Sequence, residues 1–497
     1  MDRIIVVSAG ARRSAVWCTQ EYASRAERIP ADPGPSPDPR PPDRRPRVVL
    51  SLDCEREAAR FDVEQLQTSL PGAAHVLDTA DHAALRAGRV RAGRVLGRPV
   101  RAGPEEESGG FVLYGGAEAG VRVGAHRNRL LLLNRGKRVL FTDDDEPPQF
   151  AFDPDTLHEP PLFDRPERHM VYRPSYEWSN LSGDLDVLLA AHERVLGGDP
   201  RHLSAGPVPD PAAPAVLATV TGYNGDLGLG APISLLLQSG ESGRRLRRAE
   251  RESHDPYLSR LGRLGVGRTV LAASPLFRSG HCALDASRLL PPFPPGGRGQ
   301  DLVFGVILTH MYGPGVVCHL PIDLKHLPKA DRSFPADAFD NVPHRVNDII
   351  VLALSGFDQR PADAEPAATL ERLGEHLRHV GGMHQGAYRR YIRERHEFVT
   401  EALEARLERI REEIPAKARW FDRHVDELLA ARRRLERSDA VGTATDLTPG
   451  GRGLTHTAGG PGSAHTTRTA GSTSAREYLR SYGRALSVWP RLWGQTA

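Results

Sequence analysis

Cysteine is scarce in this chain of 497 residues, which has only four: Cys18, Cys54, Cys282 and Cys318. Their wide spacing matches neither a zinc-binding pattern nor a dense disulfide framework. The N-terminal segment, MDRIIVVSAGARR, lacks the hydrophobic length of a signal peptide. Since low cysteine usage is typical of a reducing compartment, we expect a cytoplasmic protein.

Long apolar runs and an excess of one charge are also lacking. No stretch approaches the roughly 20 apolar residues of a membrane-spanning helix. The chain has 66 basic and 63 acidic residues, a formal net charge of +3, and the two signs are interspersed. A nucleic-acid partner would require a concentrated basic patch, so we expect no nucleic acid among the ligands.

Alternating strand and helix patterns occupy the first part of the chain. Apolar, β-rich runs predict strands at 3–8, 47–53 and 138–142, and a helix precedes the third strand at 120–136. This order predicts an α/β fold of Rossmann-like type, with a mostly parallel mixed sheet flanked by helices. Ligands of such sheets bind at the carboxyl ends of the strands.

The same domain continues to about residue 330. Further patterns predict strands at 215–223, 269–274 and 316–321 and a helix at 301–313. Two segments predict mobile loops, the Pro-rich residues 30–46 and the Arg- and Gly-rich residues 86–110.

Beyond this domain the period of the apolar residues becomes helical. Residues 331–437 predict a helical appendage, 438–475 a disordered linker, and 476–497 a short amphipathic C-terminal helix. The appendage could pair within the chain, form a homo-oligomer, or lie peripherally on a membrane. Its mixed charges favour protein packing over an anionic membrane.

Three consecutive acids, Asp143 to Asp145, follow the predicted strand at 138–142. Clustered carboxylates repel one another unless solvent or a cation neutralises them. On an extended chain, Asp143 and Asp145 point the same way, and their oxygens suit Mg²⁺ or Mn²⁺. The alternative interpretation is an exposed acidic turn, favoured by Glu146-Pro147-Pro148.

The segment Gly124-Ala125-His126-Arg127-Asn128, the leucine run after it, and FTDDDE resemble the core of family-2-like GT-A glycosyltransferases. RVVLSLD resembles their second strand. The resemblance implies a GT-A fold and a divalent metal, Mn²⁺ or Mg²⁺, held by Asp143 and Asp145 against the donor's diphosphate. It also implies a nucleotide-sugar site, whose candidate residues are Ser8, Asp53, Arg127, Asn128 and Asp144.

A second stretch, LLPPFPPGGRGQDLVFG, is similar to the part of these enzymes with an acidic pair at a helix start. There the second carboxylate is the general base of inverting transfer, and Asp301 has that place. Gln300 departs from the pattern, because an acid is usual at its position. The alternative is that Asp301 is an N-cap or first-turn acid favoured by the helix dipole.

Two further features fall in the second half of the chain. In several GT-A families a histidine after the catalytic helix completes the metal site, which implies His319, with His326 as its rival. The Gly-rich loop NGDLGLG at 224–230 follows a strand but lacks the Rossmann glycine spacing and a P-loop lysine. We interpret Asp226 in this loop as a candidate acceptor-site residue, and a simple turn is the alternative.

Together these features predict a metal-dependent, inverting glycosyltransferase. It would move a sugar from a nucleotide-diphosphate donor to the hydroxyl of an acceptor, a glycan, natural product or peptide. One alternative is a non-catalytic binding or scaffold protein with the GT-A fold. Another is a sugar-phosphate nucleotidyltransferase, for which VVSAGARRS lacks the usual Lys-containing loop.

Overall fold

The computed structural model describes most of the chain in separate stretches. They are residues 3–9, 13–26, 47–52, 74–77, 111–113, 123–143, 145–173, 181–210, 212–250, 255–327, 333–341, 344–357, 365–413, 419–444 and 474–495. The predicted loops at 30–46 and 86–110 lie outside the described residues, as do residues 445–473 of the predicted linker 438–475. At the ends of that linker, Val441, Ala444 and Ala475 are buried in the core, so disorder there was wrongly predicted.

The described strands form one sheet with the order β3-β2-β1-β4-β11-β8-β12-β10-β6, and β5, β7 and β9 pair beside this path. Their bounds are β1 (Arg3–Ala9), β2 (Arg47–Leu52), β3 (Ala74–Leu77), β4 (Arg138–Asp143), β5 (Phe150–Phe152), β6 (Leu162–Asp164), β7 (Met170–Arg173), β8 (Ala218–Asp226), β9 (Leu261–Val266), β10 (Val270–Ala272), β11 (Cys282–Asp285) and β12 (Val317–His326).

Helices surround this sheet. They are α1 (Arg13–Ala26), α2 (Val123–Leu133), α3 (Pro154–His158), α4 (Pro166–His169), α5 (Leu185–Glu193), α6 (Pro200–Leu203), α7 (Ile233–Leu236), α8 (Gly240–Ala249), α9 (Gln300–Tyr312), α10 (Val346–Leu354), α11 (Pro366–Gly382), α12 (Gln385–Glu413), α13 (Arg419–Arg437) and α14 (Ala475–Gln495).

The α/β class and the mixed sheet are confirmed, but the sheet is only partly parallel. Strands β1 to β4 pair in parallel, as their βαβ-like order predicts. Strand β11, which the sequence did not predict, runs antiparallel between β4 and β8. Its four residues are too few to show a strand period, so only its partners define it.

One apolar core joins the sheet to helices from both ends of the chain. It contains side chains from β4, β8 and α9 and also from α10, α11 and α14, with Trp489 fully buried. The helices α10, α11 and α14 therefore complete the core of the α/β unit, although the sequence placed them beyond its boundary.

Helices α11 and α14 pack at unusually close range. A Cβ at Gly374 would lie 2.5 Å from the carbonyl oxygen of Gly483, and the reverse also holds. Helices α12 and α13 form an antiparallel pair, in which Glu436 lies by His396 and Asp422 by Arg411. In the part of the chain that the structure describes, every helix is too short or too polar to cross a membrane.

Candidate functional site

The carboxyl ends of β1 and β4 lie side by side. Ser8 of β1 is the Cα partner of Asp143 in the parallel register. This places the two predicted residues at the sheet edge where α/β proteins bind ligands. The side chain of Ser8 and the whole of Asp53 and Asp144 lie outside the described part of the chain.

Arg127 connects the two acids on which the sequence prediction depends. Its guanidinium is 3% exposed and lies 2.9 Å from Asp143 Oδ1 and 3.5 Å from Asp301 Oδ1. Helix α2 supplies the arginine, the end of β4 supplies Asp143, and the first turn of α9 supplies Asp301. Three elements from different parts of the sequence therefore meet around one cation.

The carboxylates of Asp143 and Asp301 favour the charged form of Arg127. Burial acts to lower the pKa of its guanidinium, and the carboxylates of Asp143 and Asp301 outweigh that effect and raise the pKa. Burial raises the pKa of Asp143 to about 6. Arg127 acts to lower this pKa, and the nearby carboxylates of Asp145 and Asp301 act to raise it. Burial therefore disfavours ionisation of Asp143 more than the contact with Arg127 favours it.

Ser279 fixes the second acid. Its hydroxyl donates a hydrogen bond to Asp301 Oδ1, its backbone N–H donates to Oδ2 at 3.3 Å, and Arg127 also donates to its Oγ. The side chain of Asp301 remains 33% exposed. Asp301 is thus held in a defined position and still open to a second reactant.

A second acidic group extends the site along the turn after β4. Glu146 is 1% exposed, and its Oε2 accepts a hydrogen bond from the Asp143 N–H at 3.1 Å. Burial and the nearby Asp143 carboxylate raise the pKa of Glu146 to about 8. Sequence inspection treated this residue only as part of a turn.

His326 is the histidine beside the acids. Its Nδ1 donates to the carbonyl oxygen of Asp226 at 2.6 Å, and its Nε2 lies 3.6 Å from Asp145 Oδ1. Burial opposes protonation, but the bond to Asp145 and the charge of Glu146 raise the pKa of His326 to about 9. His326 is therefore a second cation facing the acidic cluster.

His319 lies elsewhere on β12. Its Nε2 donates to the carbonyl oxygen of Leu276 at 3.0 Å, and burial lowers the pKa of its ring to about 3. Among the described residues it makes no ion pair with a carboxylate. Of the two rival histidines, the structure brings His326 to Asp145.

Asn128 and Asp226 use their side chains within the protein. The Asn128 amide donates to the carbonyl oxygens of Val112 and Phe293 and accepts the Phe293 N–H. The fully buried Asp226 accepts from the Gly228 N–H at 2.9 Å and from Arg260 at 3.2 Å. Asn128 thus ties α2 to the loop before α9, and Asp226 closes its turn and positions His326.

Several site residues were not found by sequence reasoning, namely Ser279, Glu146, Tyr223 and Arg278. Tyr223 lies 5.1 Å from the His326 ring, and Arg278 lies 5.9 Å from the Tyr223 ring. A Cβ at Gly280 would collide with Glu146 Oε1 and the Tyr223 hydroxyl, which places the loop around Ser279 directly over the acids. The only available signal was the polar RSGH segment before a short apolar run.

The oxygen atoms of the acids after β4 suit a hard divalent cation as ligands. Asp143, Asp145 and Glu146 supply carboxylate oxygens, which are the ligands that such a cation prefers. Within the described residues, no three His, Cys, Asp or Glu side chains already converge as a metal-binding group. These three carboxylates are therefore chemically suitable ligands for such a cation. Substrate or water oxygens would have to complete its coordination.

Comparisons with known proteins identified no relative of this chain. No protein-family model matches the chain, and a comparison with curated proteins gives no match. The interpretation of the site consequently depends on its own residues and their geometry.

Proposed function

We propose that this protein is a metal-dependent glycosyltransferase that uses a nucleotide-diphosphate sugar. The observation that carries the proposal is the meeting of Asp143 and Asp301 at Arg127. A donor-side acid and an acceptor-side acid must face the same sugar in such a transfer. Within this proposal the mixed α/β sheet is a GT-A fold.

Asp301 is the proposed general base. Its carboxylate is oriented by Ser279 and Arg127 and is one-third exposed, so an acceptor hydroxyl can approach it. Removing the hydroxyl proton as the new glycosidic bond forms would make the oxygen a competent nucleophile. A single base opposite the departing diphosphate corresponds to inversion at the sugar carbon.

Asp143 and Asp145 are the proposed ligands for Mn²⁺ or Mg²⁺. A bound ion would supply Lewis-acid stabilisation of the departing diphosphate. Arg127 and His326 hold the two carboxylates at the sheet edge and offset part of their repulsion. Ser8, Asp53 and Asp144 belong to the nucleotide side of this proposal.

The remaining features are secondary to the site. The acceptor is a hydroxyl compound, Asp226 acts through His326, and His319 has no role in the proposed chemistry. A homo-oligomer through α12 and α13, and a cytoplasmic or membrane-peripheral location, remain part of the proposal.

A hydrolysis screen over common nucleotide sugars with Mn²⁺ tests this function. The wild type should release nucleoside diphosphate from one donor class, and Asp145→Ala should lose most of that activity. Asp186→Ala, which changes an exposed acid in the first turn of α5, is the control. Equal release by Asp145→Ala and wild type would remove the metal site, and no release or binding of any donor would favour the scaffold alternative.

A further inference from the structure

Arg278 is a partly buried arginine that directly precedes Ser279. Its Nη2 lies 4.0 Å from Met170 Sδ, and its Cζ lies 5.9 Å from the centroid of the Tyr223 ring. Among the residues that the structure describes, no carboxylate comes within the 4.0 Å of an ion pair with it. By contrast, Arg260 and Arg263 each contact a buried aspartate, Asp226 and Asp323 respectively.

No carboxylate of the described residues therefore neutralises Arg278 by direct contact. Burial lowers the pKa of its guanidinium, and the charges of Asp301 and Glu167 act in the opposite direction without reversing the shift. Glu167 accepts a hydrogen bond from Ser274 at 3.0 Å. A partly buried cation with these neighbours would be stabilised by an additional anion.

Arg278 also has a definite place relative to the acids. It directly precedes Ser279, which holds Asp301. The Tyr223 ring lies beside both Arg278 and His326, and His326 faces Asp145. Arg278 is therefore linked to Asp301 through its chain neighbour Ser279, and its guanidinium lies beside the Tyr223 ring.

We propose that Arg278 binds an anionic group, a phosphate or a carboxylate, on the acceptor. A guanidinium presents several N–H donors in one plane and suits either oxyanion. The assignment to the acceptor rests on the proposed function, because Asp301 is then the base that meets the acceptor hydroxyl. Arg278 is accordingly a specificity-determining residue of the acceptor site.

Calorimetric titration with inorganic phosphate, acetate and nucleoside diphosphates tests this inference. Wild-type protein should bind phosphate or acetate, and Arg278→Gln should weaken that binding about tenfold to a hundredfold, the size of a lost charge-assisted hydrogen bond. Arg278→Lys should retain part of the affinity. Arg201→Gln, which changes an exposed arginine paired with Asp199, should have no effect.

The nucleoside diphosphate arm separates the two sources of the anion. Its affinity should be unchanged in Arg278→Gln, whereas an equal loss for the diphosphate would make Arg278 a donor residue and overturn the proposal. Equal binding of phosphate and acetate by wild type and variant, or no binding by either, would also overturn it. If the wild type binds phosphate through Arg278 but no nucleoside diphosphate, the anion site stands and the glycosyltransferase proposal fails.

Discussion

Arg127 is the residue around which the acids of the site are arranged. A buried guanidinium between Asp143 and Asp301 fixes the separation of the two carboxylates, since it is 3% exposed and contacts both. Sequence reasoning selected all three residues. Their mutual contact could not be predicted, because it depends on how α2, β4 and α9 pack.

Replacing Asp301 separates catalysis from donor binding. Asp301→Asn removes the base and keeps the shape of the side chain, so kcat for transfer should fall about a hundredfold to ten-thousandfold. Donor affinity should change little. The control Asp186→Asn alters an exposed first-turn acid of α5 and should leave kcat unchanged. Steady-state kinetics measure both parameters, and a wild-type kcat in Asp301→Asn would contradict its role as base.

His326 should make stability depend on alkaline pH. Its pKa is about 9 in the folded protein, above the ordinary value of 6.5, so folding is favoured by protonation. This contribution is complete below pH 6.5 and is lost as the pH rises through 9. The melting temperature should therefore fall between pH 7 and 10, and His326→Gln should reduce the fall. Thermal melts that decline equally in variant and wild type would contradict the prediction.

At the scale of elements, long apolar runs made the main strands and helices predictable. Strand β4 and helix α9 appear within one or two residues of their predicted bounds. Strand β11 was not predicted, because four residues are too few to show a strand period and its position depends on the neighbouring strands. The sequence could not distinguish His319 from His326 for a related reason. Both lie on β12, and only the packing of that strand shows which one meets Asp145.

The close contact between α11 and α14 predicts that one methyl group added at Gly483 destabilises the protein. Gly483→Ala should lower the free energy of unfolding by about 1–3 kcal/mol, because its Cβ would lie 2.5 Å from the Gly374 carbonyl oxygen. Gly382→Ala in α11 is the matched control. It meets nothing within 4 Å and should be neutral or stabilise by up to about 1 kcal/mol. Chemical denaturation measures both, and equal effects would show that the helices separate easily.

At the scale of the whole molecule, the C-terminal helix is part of the core. Trp489 of α14 is fully buried, and its Nε1 donates to the carbonyl oxygen of Leu290 at 2.7 Å. Leu290 belongs to the segment that leads to Asp301. The chain therefore closes its α/β unit with residues that the sequence pattern assigned to a separate helix.

Trp489→Ala should destabilise the whole unit together. Loss of this side chain should lower the free energy of unfolding by about 3–5 kcal/mol. Because α14 shares its core with the sheet, unfolding should remain a single transition when followed by circular dichroism and by fluorescence. Phe398→Ala, at a side chain that is 60% exposed, should change stability little. Separate transitions for the α/β unit and α14 would contradict the shared core.

The central claim is that the acids after β4 hold a divalent cation against a diphosphate, and calorimetry tests it most directly. UDP and GDP would each be titrated into wild type and Asp143→Asn, with Mn²⁺ or with EDTA. We predict that one nucleotide binds wild type at least about tenfold more tightly with Mn²⁺, the size of one charge-assisted contact, and that Asp143→Asn loses this gain. No binding of either nucleotide, or the same affinity with EDTA and in the variant, would contradict the claim.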